Sequence, residues 1–292
     1  MKKTVKISMK IVLLTIAYAI LVTLISGTLI SLGFDFPDMD IDEMSSLIQL
    51  LFAGFFSSLL VVYISLRYIQ LKKWHFFLIV FFILFLSNIS VAIEGTLFTP
   101  ELITKSVFST IFIQQFFVIL LYSYVSLFVI KRNNKKDIEP ITHKNSDLNY
   151  LNMSLKLILC GIIYMVMYYF WGWINYNAFT KPFYDLGISG LDVPSTYTLL
   201  KSIFVRGVLI TLSIVPFLLF AQPDSKVKMY EIGAILFIFG GLLPLSLMIS
   251  VFPLNFIIYS LLEILLQNFL TGIIIYRIYI TDKVLPTTLA YK

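Results

Sequence analysis

The chain has 292 residues, of which 59% are hydrophobic and only 13% are charged. Because a soluble domain carries about 25% charged residues, this composition excludes an ordinary water-soluble protein and indicates a membrane protein. The net charge of +6 does not indicate nucleic-acid binding, since the basic residues lie in short clusters between apolar segments.

Eight apolar segments follow one another along the chain, and each is long enough to cross a bilayer as a helix. A hydrocarbon core of about 30 Å needs about 20 residues of helix. We therefore predict an all-α, polytopic integral membrane protein that forms a single bundle over residues 1–292. The predicted transmembrane helices cover residues 10–33, 47–71, 74–94, 107–130, 157–176, 199–221, 229–251 and 254–280. Only Phe252 and Pro253 separate the last two, so this connection is predicted to be tight.

The distribution of lysine and arginine predicts the orientation of the bundle. Basic residues are concentrated at the N-terminus, in the second, fourth and sixth connections and at the C-terminus, with the largest cluster at 131–136. The first connection, 35–43, is acidic and contains no basic residue. Because cytoplasmic loops are enriched in lysine and arginine, we predict a plasma-membrane protein with both termini in the cytoplasm. The aromatic residues over 168–176 are interpreted as an interfacial belt at the outer end of the fifth helix.

Ionisable and amide side chains within the predicted helices are the candidate binding residues. An ionisable side chain at the centre of a membrane helix costs about 2.5–3.5 kcal/mol on insertion scales, so it is a functional candidate by default. On the predicted helices, the ionisable candidates and the two glutamines at 114–115 fall in the outer half of the membrane. The candidate binding residues are Glu94, Gln114, Gln115, Arg206, Glu263, Gln267 and Asn268.

Helical spacing predicts that these residues share faces with other polar residues. Ser260, Glu263, Gln267 and Thr271 recur at intervals of three and four residues, which places them on one face of the eighth helix. A polar face within a membrane must contact protein or water. We therefore expect an outward-opening polar pocket in which Arg206 pairs with Glu263 or with Glu94. The alternative is an ion pair that only fixes the packing of the helices.

Two further features concern contacts between helices. The pair Gly240-Gly241, together with Pro244, interrupts the seventh predicted helix. Close packing or a kink explains this interruption, and a broken helix at a transport site is the alternative. Asn88 lies near the middle of the third predicted helix and is expected to hydrogen-bond to another helix.

Several classes of chemistry are not supported by the sequence. The histidines, His75 and His143, lie outside the predicted helices or at an edge, and no aspartate lies within one. Histidine-dependent intramembrane catalysis and an aspartyl protease dyad are therefore not expected. The chain has no glycine-rich phosphate-binding motif. We predict no catalytic residue, no metal and no cofactor.

Three segments resemble a group of bacterial polytopic membrane proteins for which no activity is known. They are AIEGTLF at 92–98, FVRGVL at 204–209 and LEILLQNFLTG at 262–272. In that group an I-E before a phenylalanine-rich end, an R-G-L and an E-x-x-x-x-N-F-x-x-G recur. A histidine often precedes the last glutamate there, whereas this chain has Leu262. The resemblance selects Glu94, Arg206, Glu263 and Asn268 and implies no activity.

These observations favour a membrane protein without enzymatic activity, either a small permease or the membrane subunit of a transport or envelope system. One alternative is an intramembrane enzyme that acts on a lipid or a lipid-linked substrate. The other is a membrane sensor, scaffold or immunity-type protein. The expected partners are the lipid bilayer, a small-molecule or lipid ligand from the outer side and a cytosolic or membrane protein, with no nucleic acid.

Overall fold

A computed structural model describes residues 2–37, 42–69, 71–130, 150–221 and 226–280. Every regular element in these ranges is helical, which confirms the all-α prediction, and eight helices are long and apolar enough to cross a membrane, as a polytopic protein requires. The long helices are α1 Lys2–Ser31, α2 Glu43–Arg67, α3 Lys73–Phe98, α4 Lys105–Ile130, α5 Tyr150–Asn175, α6 Thr196–Phe220, α7 Lys226–Phe237 and α8 Leu254–Ile280. The basic cluster at 131–136 and His143 lie outside the described residues, and the orientation of the bundle stays a prediction.

Two helices continue beyond these bounds through π-helical turns. After α5 the chain passes through a π-turn, Tyr176–Thr180, into the short helix Lys181–Asp185. After α7 it passes through a second π-turn, Ile238–Leu242, and a last helical segment, Leu243–Ser246. A π-turn places one extra residue in a helical turn and is frequent at functional sites.

The connection between α7 and α8 is longer than predicted. The last segment of α7 ends at Ser246 instead of residue 251, and residues 247–253 form turns. Within these turns the backbone N–H groups of Val251 and Phe252 both donate to Met248 O. The turn directs Phe252 into a small buried cluster with Phe256, and this packing replaces the tight link expected from the sequence.

Local hydrogen bonds define where helices begin. Asp42 is the N-cap of α2, and its carboxylate accepts hydrogen bonds from the backbone N–H and the hydroxyl of Ser45 at 2.9 and 2.6 Å. These bonds hold the pKa of the Asp42 carboxyl below its usual value. Ser195 caps α6 in the same way by accepting from the N–H of Thr198. Capping by Asp and Ser satisfies donors that the first turn of a helix leaves free.

Helices α1–α4 and α5–α8 form two halves that have the same pattern of neighbours. In each half the first helix packs against the second and the fourth, and the third packs against the fourth. The halves meet where α3 packs against α6 and against the π-turn of α7. A four-plus-four arrangement is therefore visible in the packing, although the two halves show no residue-level repeat in the sequence.

The surface and the interior of the bundle differ as expected for a protein in lipid. Large apolar side chains are exposed along the outer faces of the helices, for example Leu13, Ile16 and Leu24 on α1. Most of the buried hydrophobic residues form one cluster that runs through both halves, and the cluster of Phe252 and Phe256 is separate from it. Polar side chains that cross between helices, such as those of Ser58 and Tyr122 at 3.1 Å, are buried in this interior.

Candidate functional site

A cavity of about 600 Å³ lies between the two halves, near the end of the bundle that carries the odd-numbered connections. All eight long helices contribute to its wall, α1 through Tyr18 and α6 through Thr196 and Leu199 near its start, together with residues of the connections. Clefts of about 300–1,000 Å³ bury most of the surface of a drug-sized ligand. By the predicted orientation this end of the bundle faces the outside.

Arg206 on α6 pairs with Glu94 on α3 behind the wall of this cavity. The distance from Arg206 Nη1 to Glu94 Oε1 is 2.6 Å, and the arginine side chain is only 1% exposed. Tyr168 on α5 donates its hydroxyl to the same Glu94 oxygen at 2.7 Å. Of the two carboxylates expected as partners of Arg206, the structure therefore shows Glu94. The carboxylate lines the cavity, whereas the guanidinium does not.

Two tyrosine rings and a backbone carbonyl complete the surroundings of the guanidinium. Its central carbon lies 5.5 Å from the ring centre of Tyr168 and 5.8 Å from that of Tyr164. Aromatic faces attract cations at such distances, which offsets part of the cost of removing the charge from water. Arg206 Nη2 also lies 3.4 Å from Gly240 O, to which it donates. These contacts join α3, α5, α6 and α7 at one side chain.

The π-turn of α7 is the interruption predicted at Gly240-Gly241. The helix continues through it, so the chain is widened here and not broken. A Cβ at position 241 would lie 2.3 Å from Cγ2 of Ile264, and one at 240 would lie 3.0 Å from Nδ2 of Asn268. The two glycines are therefore required for the close approach of α7 to α8. That approach also places the Gly240 carbonyl beside Arg206.

Glu263 on α8 lies in the cavity wall without a cationic partner among the described residues. Its Oε2 accepts a hydrogen bond from Asn175 Nδ2 at 2.7 Å. Its Oε1 lies against Gly172, where a Cβ would be 3.2 Å away. The described ranges contain no group of three His, Cys, Asp or Glu side chains that would hold a metal ion. The interaction that holds Glu263 is thus a neutral amide donor from α5.

The predicted glutamines also reach the cavity, and each makes a contact to another helix. Gln115 Oε1 accepts from Asn88 Nδ2 at 2.8 Å, which confirms the interhelical bond expected for Asn88. Gln114 Nε2 donates to Ser26 Oγ on α1 at 2.6 Å. Asn88, Gln114 and Gln115 all line the cavity. These amides add polar groups to the same wall as the two carboxylates.

Gln267 and Asn268 lie deeper in the second half and do not line the cavity. Both are almost fully buried. Asn268 Nδ2 donates to Leu236 O at 3.1 Å. The Gln267 amide lies next to the Tyr164 hydroxyl, but neither group makes a hydrogen bond of good geometry. The structure therefore separates the candidate residues into four in the wall, Arg206 behind it and these two further in.

Two residues of the site were not indicated by the sequence pattern, namely Tyr168 and Asn175. Tyr168 was included in the interfacial belt, but it is buried and bonded to Glu94. Tyr169 and Trp173 on the same helix are exposed, as the belt interpretation requires, and both also border the cavity. The spacing of seven residues between Tyr168 and Asn175 places them on one face of α5 and was the available signal.

No protein-family model, curated protein or solved structure matches the chain in the comparisons. The resemblance to a group of bacterial membrane proteins therefore stays a prediction. The candidate site is therefore supported by its geometry and not by similarity to a known protein.

Asn88→Leu is expected to lower the free energy of unfolding by about 0.6–2 kcal/mol, the range measured for hydrogen bonds between membrane helices. The substitution removes the donor to Gln115 while it keeps a side chain of similar size. Unfolding in mixed micelles, followed by circular dichroism, would measure the change. In a double-mutant cycle with Gln115→Leu, a coupling of zero would contradict the bond.

Proposed function

We propose that this chain is a small permease that receives its solute in the cavity from the outer side. The observation that supports this proposal most directly is a ligand-sized cavity between the two halves, with the carboxylates of Glu94 and Glu263 in its wall. Solute sites between structural halves near the middle of the membrane are typical of secondary transporters.

The contacts of α2 with the α7 region support a cavity that opens to each side in turn. At the cavity end, Gln49 on α2 donates to Ser250 Oγ in the connection after α7, at 3.1 Å. At the opposite end, Arg67 lies 3.3 Å from Glu231 on α7, and Tyr68 donates to the same carboxylate. The Gln49–Ser250 contact is exposed and the arginine of the Arg67–Glu231 pair is half exposed, and polar contacts at such exposure contribute little to stability. Both α2 and α7 also line the cavity between these two contacts.

Cysteine accessibility would test alternating access without knowledge of the solute. The experiment starts from Cys160→Ala, which removes the buried native thiol. Ser260→Cys then adds a single thiol to the cavity wall, whereas Ser213→Cys adds one in the buried interior away from the wall. A membrane-impermeant methanethiosulfonate is added to intact cells or to inside-out vesicles. We expect Ser260→Cys to react from both sides and Ser213→Cys to react from neither.

Other outcomes would contradict the permease. Reaction from one side only would favour a pocket with a single mouth, as in an intramembrane enzyme or a sensor. Absence of reaction from either side would favour a scaffold with a dry interior. Glu231→Ala sharpens the test, because loss of the contacts with Arg67 and Tyr68 at the predicted cytoplasmic end should raise the reaction rate from the inner side relative to the outer side. Reaction only from the inner side would also contradict the predicted orientation.

A further inference from the structure

The charges around the cavity do not balance. Among the residues that the structure describes, its wall contains the carboxylates of Glu94 and Glu263 and no lysine or arginine. Glu94 is neutralised by Arg206 and accepts a further bond from Tyr168. Glu263 forms no ion pair with any described residue, and its donor, Asn175, is neutral. Within the described part of the wall, one carboxylate, that of Glu263, is therefore left without a cationic partner.

A carboxylate in such a place needs a positive partner. An isolated charge away from bulk water is costly, so the group either takes up a proton or binds a cation. Glu263 interacts electrostatically with the charges of Glu94 on α3 and Arg206 on α6, and it accepts a hydrogen bond from Asn175 on α5. The charge of Glu263 in turn acts on three phenols on α5 and in the connection after it, those of Tyr164, Tyr168 and Tyr184. The part of α7 in the wall, from Phe239 to Leu245, contributes no ionisable side chain.

The rest of the wall indicates what kind of cation fits. Tyr168, Trp173, Tyr176 and Phe256 all border the cavity. Aromatic faces attract organic cations, and sites for quaternary ammonium groups use several of them. A small inorganic cation such as Ca²⁺ needs six to eight oxygen ligands, whereas the described wall has two carboxylates, and Arg206 already pairs with one of them. A cavity of about 600 Å³ matches an organic molecule.

We infer that the ligand of the cavity is an organic monocation with an apolar body, and that Glu263 is the counter-ion for which this cation and a proton compete. The inference rests on the proposed function, because it names the solute class of that permease. The cation binds once Glu263 has lost its proton, and protonation of Glu263 releases the cation. Exchange of one positive charge for another at a single carboxylate keeps the site electrically neutral throughout.

Binding of 1-methyl-4-phenylpyridinium to the purified protein in lipid nanodiscs tests the inference. This probe is a permanent cation with two aromatic rings, and 4-biphenylcarboxylate is an anion of similar shape. We expect the cation to bind, the anion not to bind, and the affinity for the cation to fall as the pH falls. Glu263→Gln keeps an oxygen for Asn175 but loses the charge, so it should weaken binding about 10- to 100-fold and abolish the pH dependence.

Two variants serve as controls. Glu101→Gln removes an exposed carboxylate near the same end of the bundle but outside the cavity wall, and it should leave the affinity unchanged. Glu263→Asp keeps the charge and should retain a pH-dependent affinity, which separates loss of charge from misfolding. Equal binding by Glu263→Gln and the unmodified protein would overturn the inference. Preference for the anion would overturn it as well.

Flux measurements distinguish this inference from the proposed function. Glu263-dependent binding without uptake of the labelled cation into proteoliposomes would retain the cation site and contradict the permease. Reaction of Ser260→Cys from both sides without any binding of the cation would retain the permease and contradict the cation as its solute.

Discussion

Arg206→Met is expected to lower the free energy of unfolding by about 3–5 kcal/mol, which is the usual cost of removing one partner of a buried ion pair. The variant leaves the Glu94 carboxylate without the cation that lies 2.6 Å from it. It also removes the bond to Gly240 O and the contacts with the rings of Tyr164 and Tyr168. Unfolding of the purified variant in mixed micelles would measure the loss.

A double variant and an exposed pair are the controls for this result. Arg206→Met combined with Glu94→Gln should recover most of the loss, because the remaining amide is neutral and still accepts from Tyr168. Arg67→Met makes the same substitution in the ion pair with Glu231, where the arginine is half exposed, and should change stability little. Equal effects of Arg206→Met and Arg67→Met would show that the pair with Glu94 is not buried in the folded protein.

Gly272→Ala is expected to lower the free energy of unfolding by about 3 kcal/mol, at the upper end of the usual cost of overpacking. A Cβ at position 272 would lie 2.6 Å from Cα and 2.7 Å from N of Gly233 on α7. Both obstructing atoms belong to the backbone, so no side chain can rotate away and α7 and α8 must separate. The same unfolding measurement, together with the yield of folded protein after extraction, would detect the change.

Gly27→Ala is the matched control for this substitution. Gly27 lies in α1 with no atom within 4 Å of the Cβ position. Alanine is favoured over glycine in a helix by about 0.5–1 kcal/mol, so this variant should be neutral or slightly more stable. Comparable destabilisation by both substitutions would contradict the close crossing of α7 and α8.

The parts of the site that the sequence predicted are those whose chemistry is unusual in a membrane helix. Glu94, Arg206 and Glu263 are recognisable because an ionisable group in an apolar segment is costly wherever the helix packs. Asn175 and Tyr168 are not recognisable in this way, because amides and tyrosines are common at helix ends and membrane interfaces. Their roles depend on the face of α5 that turns inward. The functions assigned to all these residues stay predictions.

The sequence could not decide whether Glu94 or Glu263 is the partner of Arg206. Both carboxylates were predicted to lie in the outer half of the membrane, and helical spacing gives no distance between helices. Because α3 packs against α6, Glu94 lies beside the guanidinium of Arg206. Because α5 packs against α8, Glu263 accepts a hydrogen bond from Asn175 instead. Since Arg206 pairs with Glu94, the carboxylate of Glu263 has no cationic partner among the described residues.

The sequence by itself determined the number of helices, their approximate bounds and the polar residues that lipid excludes. These are local properties, because the length of an apolar segment and the cost of a charge in it do not depend on neighbouring helices. Only the tertiary structure decided the partner of each polar residue, the π-turns, the early end of α7 and the position of the cavity. Those features depend on how closely helices cross and how each is rotated, which close contacts such as Gly233–Gly272 set between segments far apart in the chain.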